Sequence, residues 1–237
     1  MKKILDTDKT GVSIIAFGAY LPDSHIEEFR QRANSNIRRI VGGLMLTDAI
    51  PSITYHLYPD VETKLAETGE DANGHVDRET GDIFIVYNGT VKCDGPHELV
   101  HLLTKHLGYS NLVLGEGLAE YFEENWNGEE SDGSRLRLPH DDWVRRFIAD
   151  GSYIPICALF DDNEFWELDE EGMVSYPESA SFFRYLVVTY GMERMLNLYS
   201  SFGRRAPEGV PYERFEEHLG ISVEQAEIDW LNFLHCP

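Results

Sequence analysis

Two histidines and a glutamate near the middle of the chain have the residue types and the spacing of a metal site. The stretch GPHELVHLL places His97, Glu98 and His101 in the order H-E-x-x-H. On a helix, residues four positions apart share a face, so both imidazoles can reach one zinc ion at about 2.0–2.1 Å from each nitrogen. Glu98 lies about 100° around the helix from His97, where its carboxylate flanks the metal and can take a proton from bound water. The alternative is a helix with two hydrogen-bonded core histidines.

The residues around the motif predict the helix that this geometry requires. Pro96 suits the first turn of a helix, where its missing N–H costs nothing, and Gly108 suits the end of one, so the helix is predicted over 96–107. A zinc pattern in which the same helix supplies a third histidine needs glycine at position 104 and histidine at 107. The chain has Thr104 and Leu107 there, which excludes that class.

The next predicted helix, 115–126, offers a third ligand. It carries Glu116, and the short loop after the first helix suits two antiparallel neighbours, which would return Glu116 to the histidines. Glu120 lies one turn further on the same face, where a second carboxylate can accept the free N–H of a ligand histidine. The alternative is that both glutamates are solvated charges on an amphipathic helix.

These motifs together resemble a known family. HELVH followed by GEGLAEYFE is similar to the gluzincin metallopeptidases, and more narrowly to the peptidase MA-like group. The segments 175–200 and 215–234 resemble later helices of that family. The resemblance implies a zincin-like fold and Zn²⁺ held by His97, His101 and Glu116. It also implies that Glu98, as general base, activates zinc-bound water to hydrolyse a peptide bond.

The resemblance also suggests a group that stabilises negative charge on the substrate oxygen. In related aminopeptidases a tyrosine beyond the zinc glutamate does this within a Y-x-x-G-A-x pattern, and Y-P-E-S-A-S places Tyr176 there, with Ser179 where glycine is usual. The alternative is a core tyrosine that opens a helix, and His140 and Tyr185 are further candidates. Aminopeptidase specificity is not supported, because no G-x-M-E-N stretch precedes His97.

The elements that must position these residues differ between the two parts of the chain. Residues 1–94 predict a small mixed sheet with helices, and 71–81 predict a polar turn region. The predicted strands are 11–21, 52–58 and 82–88, and the predicted helices are 22–44 and 61–69. The strand 82–88, DIFIVYN, is expected to lie along the rim of the cleft and to pair with an extended peptide by edge addition.

Helical patterns dominate residues 95–237. The predicted helices are 96–107, 115–126, 177–190, 192–200 and 222–234. The segment 127–172 interrupts them, with a short helix predicted at 140–149. We therefore expect an α+β, zincin-like fold in one domain, 1–237, in which a mixed α/β subdomain (1–94) packs on a helical subdomain (95–237) that carries the zinc site.

Composition limits the partners. The chain has 20 basic and 42 acidic side chains and a formal net charge of −22, which opposes nucleic-acid binding. No apolar run reaches the roughly 20 residues of a membrane helix, and three scattered cysteines predict no disulfide framework. The stretch VSIIAFGAYL is interpreted as a buried strand, which indicates a cytoplasmic protein, or a secreted one if a signal peptide has been removed.

The sequence thus predicts an acidic, soluble zinc metallopeptidase with a peptide or protein substrate. Two alternatives stay open. One is a zinc-containing binding or structural module with little or no peptidase activity. The other is a zinc hydrolase of a non-peptide amide.

Overall fold

The computed structural model of the chain covers most of the sequence in two units. The described residues are 2–5, 12–17, 21–46, 52–77, 79–88, 91, 95–129, 135–202 and 209–235. The two compact units are Met1–Lys105 and His106–Pro237. The fold is α+β, with a small mixed sheet and a majority of helix, as the sequence predicts.

A five-stranded mixed sheet forms the centre of the first unit. Its strands are β1 (Lys2–Leu5), β2 (Val12–Phe17), β3 (Ile53–Tyr58), β4 (Gly74–Asp77) and β5 (Asp82–Val86), in the order β1-β2-β3-β5-β4. The strands β2, β3 and β5 run parallel, and β1 and β4 pair antiparallel at the two edges. The helices are α1 (Asp23–Gly43), α2 (Val61–Thr68) and α3 (Pro96–Leu103).

Alternation along the strands produces the core of this unit. Successive side chains of a strand point to opposite faces of the sheet. On one face, Ile14 of β2, Tyr55 of β3 and Ile83 of β5 are fully buried side by side. The apolar residues of α1 recur at helical spacing, and the ring of Phe29 meets that of Tyr55 edge-on, 5.1 Å between centroids. This packing confirms the predicted strands 11–21, 52–58 and 82–88 and the helices 22–44 and 61–69, with ends shifted by a few residues.

One expectation about the sheet is wrong. DIFIVYN is not an edge, because β5 pairs with β3 on one side and with β4 on the other. Its backbone groups are therefore used within the sheet and cannot take up a peptide by edge addition. The strand that covers it, β4, lies within 71–81, where the polar sequence predicts only turns.

The second unit is mainly helical. Its elements are α4 (Leu112–Glu123), β6 (Asn125–Glu129), β7 (Arg135–Pro139), α5 (His140–Asp150), α6 (Ile156–Leu159), α7 (Asp162–Leu168), α8 (Ser175–Tyr190), α9 (Met192–Tyr199), α10 (Val210–Leu219) and α11 (Val223–His235). The strands β6 and β7 form an antiparallel hairpin. The predicted helices at 115–126, 140–149, 177–190, 192–200 and 222–234 are confirmed. In the described residues of the segment 127–172, the structure has β6, β7, α6 and α7 besides the predicted α5.

The core of the second unit lies around α8. Its apolar face carries Phe182, whose ring contacts those of Phe215 on α10 and Trp230 on α11. The indole N–H of Trp230 donates to the hydroxyl of Ser181 at 3.1 Å, so this fully buried ring also satisfies its polar atom.

Within the described parts of the chain, no helix is long and apolar enough to cross a membrane.

Candidate metal centre

The two histidines of the motif lie on α3, and the position just before this helix is one that only glycine suits. Gly95 precedes the helix with φ +74°, and a Cβ there would lie 3.2 Å from a ring atom of Tyr55. Pro96 follows at the first helical position, where its missing N–H costs nothing. The start of α3 is thus set by backbone geometry and by the sheet beneath it, and this sets the position of His97.

The imidazoles of His97 and His101 converge. Their Nε2 atoms lie 3.0 Å apart, and their rings are 4.7 Å apart at an interplanar angle of 74°. His101 is buried and His97 is half-buried. Because a helix stacks residues i and i+4 on one face, both nitrogens point to one place beside α3. His106, a few residues further on, is exposed and takes no part in this convergence.

Glu116 completes a group of three possible ligands. His97, His101 and Glu116 each offer one ligand atom, and these three atoms all lie within 4.8 Å of one another. Glu116 is half-buried on α4, the helix that follows α3 along the chain.

Two contacts within the second unit hold α4 in place. At its start, Oδ1 of Asp162 accepts from the backbone N–H of Leu112 at 2.8 Å and from the side chain of Asn111 at 2.9 Å. Next to Glu116, Gly117 lies so close to α8 that an added Cβ would sit 2.6 Å from the carbonyl oxygen of Ser179. The absence of a side chain at Gly117 therefore decides how closely the helix carrying Glu116 approaches α8.

The donor set fits zinc. Two imidazole nitrogens and a carboxylate oxygen form one of the ligand sets that catalytic zinc uses, with the fourth position left for water or substrate. Tetrahedral bonds of about 2.0–2.1 Å place two nitrogens roughly 3.3 Å apart, close to the 3.0 Å between the Nε2 atoms of His97 and His101. Hard cations such as Mg²⁺ prefer an all-oxygen set, which these residues do not provide.

Glu98 is half-buried and follows the first histidine on α3. Its position around the helix places its carboxylate beside the histidine face and not on it, and it is absent from the group of three possible ligands. Its role as general base stays a prediction.

Glu120 and His140 form a buried pair. The Nε2 atom of His140 lies 3.4 Å from Oε2 of Glu120, and both side chains are about 6% exposed. Glu120 is one helical turn from Glu116, and His140 is the first residue of α5. The sequence offers Glu120 as a carboxylate that orients a ligand histidine, and this stays a prediction. The pairing with His140 was not predicted, because these residues are joined only by the fold.

Tyr176 lies in an aromatic cluster. Its ring is 6.1 Å from that of Trp126, 6.1 Å from Phe165 and 6.3 Å from Trp166. It also lies over Gly172, where an added Cβ would come within 2.5 Å of the tyrosine ring. The tyrosine is half-buried near the start of α8, and its role as oxyanion donor stays a prediction.

A second buried acidic group, which the sequence does not reveal, lies on α8. Glu178 is fully buried, and its Oε1 accepts from the backbone N–H of Ile154 at 3.2 Å. Burial, with the nearby carboxylates Glu227 and Asp169, raises its pKa well above the ordinary value. No local pattern marks this residue, because its spacing on α8 is that of any core position.

The carboxylate of Glu227 accepts hydrogen bonds from residues just before and within α6. It accepts a hydrogen bond from the hydroxyl of Tyr153, and its Oε2 accepts from the backbone N–H of Cys157 at 2.9 Å. Burial and this carboxylate raise the pKa of the Cys157 thiol to about 11. Burial, with the hydrogen bond to Glu227, also raises the pKa of Tyr153. The arrangement holds α6 to α11 and leaves Cys157 a poor nucleophile.

Comparison with known proteins adds no family to this description. No protein-family model matches the chain, and no curated protein matches it significantly.

Proposed function

We propose that this protein is a zinc-dependent metallopeptidase with a zincin-like fold of the gluzincin kind. The observation that supports the proposal is the convergence of His97, His101 and Glu116, whose ligand atoms lie within 4.8 Å of one another. Three features of the sequence that are separate from this geometry agree with it, namely the H-E-x-x-H order, the EGLAEY segment and the excluded one-helix pattern.

The chemistry divides between the metal and the chain. Zinc in such a site polarises a carbonyl and lowers the pKa of water toward roughly 7. In the proposed reaction Glu98 accepts a proton from the attacking water and returns it to the nitrogen of the leaving amine. The peptide C–N bond breaks, and the products are a carboxylate and an amine. Half-burial of Glu98 restricts its contact with bulk water, which favours direct proton transfer.

Two other groups have supporting roles in this proposal. The hydroxyl of Tyr176 donates a hydrogen bond to the negative charge that develops on the carbonyl oxygen. The buried pair of Glu120 and His140 restricts the carboxylate one turn beyond Glu116 to one orientation. Such a partner limits the movement of ligand side chains, as carboxylates near metal-bound imidazoles do in other sites.

An alternative function keeps the metal and loses the reaction. A binding or structural module would need the three ligands but has no use for Glu98. A hydrolase of a non-peptide amide would use the same residues on another substrate. The presence of Glu98 beside the ligand pair favours catalysis over the module.

Metal analysis and three substitutions test the proposal. The purified chain should hold about one zinc per molecule. His101→Ala should lose the metal, while His106→Ala, which removes an exposed histidine from the same region, should keep it.

Glu98→Gln should keep zinc and lose peptide cleavage by about 10²–10⁴-fold, the range for a positioned general base. Absence of zinc in the unaltered chain, or full cleavage by Glu98→Gln, would contradict the proposal. Zinc without cleavage of any member of a broad peptide library would favour the binding module, and cleavage of only non-peptide amides would favour the third function.

A further inference from the structure

A surface around α7 combines exposed apolar side chains with exposed carboxylates. Trp166 is 44% exposed and Leu168 is 45% exposed, although α7 is anchored by the fully buried Phe165. Four exposed glutamates lie on or just after the same helix: Glu164, Glu167, Glu170 and Glu171. These six exposed residues are called the α7 surface below.

The charge of this region is all of one sign. Seven of the eleven residues 161–171 are acidic, and no lysine or arginine occurs between Arg146 and Arg184. In the part of the chain that the structure describes, the four glutamates of the α7 surface enter no ion pair. Their charges are therefore not neutralised by neighbouring side chains, and they produce a negative potential on one side of an exposed indole.

This surface borders elements of the proposed active site within the second unit. The ring of Trp166 lies 6.3 Å from that of Tyr176, the proposed oxyanion donor. Asp162, the first residue of α7, accepts from the backbone N–H of Leu112 at the start of α4, the helix that carries Glu116. A peptide chain bound on α7 would thus lie beside groups that the proposed reaction uses.

We propose that the α7 surface binds a cationic segment of the peptide substrate, so that the enzyme prefers peptides in which lysine or arginine is close to an apolar residue. This inference rests on the proposed function. An exposed indole attracts an ammonium or guanidinium group over its face, and the attraction adds to that of nearby carboxylates. Leu168 offers an apolar contact to the neighbouring side chain. Acidic peptides and nucleic acids are repelled by the same charges.

Attraction between the acidic residues 161–171 and a cationic peptide should make binding depend on the salt concentration. The α7 region contributes −7 of the formal net charge of −22, concentrated in eleven residues. Exposed charges act over about 8 Å at physiological ionic strength, so binding should weaken as salt is added. A contact made only of apolar surface would not show that dependence.

Equilibrium binding to an inactive chain tests this inference separately from catalysis. The protein is the full chain with Glu98→Gln, and the probe is a short labelled peptide in which lysine alternates with leucine. The reference probe has glutamine at every lysine position. Fluorescence anisotropy at low and at physiological ionic strength measures both affinities.

Two matched variants locate the binding. The first changes the glutamates of the α7 surface, Glu164, Glu167, Glu170 and Glu171, to glutamine. The control changes four other exposed glutamates of the second unit, Glu193, Glu213, Glu216 and Glu217, and so alters the net charge equally. Trp166→Ala tests the indole.

The first variant should weaken binding of the lysine peptide by about tenfold or more, and the control by no more than about twofold. Trp166→Ala should weaken it several-fold, and the glutamine peptide should bind weakly to every chain. Equal losses in the two quadruple variants would overturn the inference, because bulk charge alone would explain them, and so would equal affinity for the two peptides. Selective binding of the lysine peptide together with no cleavage by the unaltered, zinc-loaded chain would leave the surface established and refute only the peptidase.

Discussion

The two glycines that flank Glu116, Gly115 and Gly117, should respond differently to replacement by alanine. Alanine at Gly115 should raise the free energy of unfolding, and alanine at Gly117 should lower it. Both lie in the interior of α4, where alanine is favoured over glycine by about 1 kcal/mol because it loses less backbone entropy on folding. They differ in their surroundings. A Cβ at Gly115 meets nothing within 4 Å, whereas a Cβ at Gly117 would lie 2.6 Å from the carbonyl oxygen of Ser179 and 3.2 Å from Cβ of Phe183.

The size of the effect follows from that contact. Real Cβ atoms essentially never approach another atom closer than 3.0 Å, so α4 and α8 must separate by at least 0.4 Å (3.0 minus 2.6) at this point. The atom in the way belongs to the backbone of α8 and cannot rotate aside. Overpacking of this kind costs about 1–3 kcal/mol, while the helix propensity term is the same in both variants. Gly117→Ala should therefore be less stable than Gly115→Ala by about 1–3 kcal/mol.

Thermal unfolding with a chelator present measures this difference without a contribution from metal binding. For a chain of this size, about 1 kcal/mol corresponds to roughly 2–4 °C, so the two melting temperatures should differ by at least about 2 °C. Gly115→Ala should melt at or above the unaltered chain. Zinc affinity should fall in Gly117→Ala, because the same displacement moves Glu116, and should hold in Gly115→Ala. Equal melting temperatures for the two variants would refute the inferred close approach of α4 to α8.

Three further predictions concern burial and backbone geometry. Burial raises the pKa of Glu178, so the folded chain holds a proton that the unfolded chain releases near pH 4.5. Stability therefore falls as pH rises from that value toward the raised pKa of the folded chain. Glu178→Gln should therefore gain stability over the unaltered chain as pH rises through this window, with a limiting slope of about 1.4 kcal/mol per pH unit. A difference in urea-unfolding free energy that does not grow above about pH 5 would contradict this. The pKa of the Cys157 thiol is raised from 9.0 to about 11, so less of it is thiolate at mildly alkaline pH. It should therefore react with iodoacetamide about a hundredfold more slowly in the folded chain than in the unfolded chain. Equal rates by peptide mass spectrometry would contradict this prediction. Gly95→Ala should lower the free energy of unfolding by about 1–2 kcal/mol and weaken zinc binding, because it puts a side chain at positive φ and against a tyrosine ring. Gly69 also has positive φ, but the space around it is open. Gly69→Ala should therefore lose stability and leave zinc affinity unchanged.

Features that depend on local spacing could be predicted from the sequence. The four-residue interval between His97 and His101 needs only a helix to bring the imidazoles together, and Gly95 and Pro96 mark where that helix begins. Apolar alternation predicts β3, while strand length and β-prone residues predict β2 and β5. Helical periodicity predicts α4, α8 and α11, because burial on one face imposes its period on an element. Glu116 is a candidate ligand from the sequence because it lies near the start of the next helical pattern after a short loop.

Features that depend on contacts between distant segments could not. The polar residues around Gly74–Asp77 predict turns, yet they form a strand because β5 offers its free edge. The short elements α6 and α7 have too few residues to show a period. Glu120 and His140 are twenty positions apart in the chain. Their pairing depends on how the strands β6 and β7 bring His140 back to α4.

The identities and local order of the proposed metal ligands, the class of most elements and the strongly acidic charge all follow from the amino-acid sequence. The packing of the folded chain is needed to show that β5 is internal, that Glu178 is fully buried, and that an acidic helix with an exposed tryptophan lies beside Tyr176. The physical reason is that periodicity reports which face of an element is buried and does not report what it is buried against. Hydrogen bonds, desolvation and ring contacts between distant residues exist only once the chain has closed the loops between them.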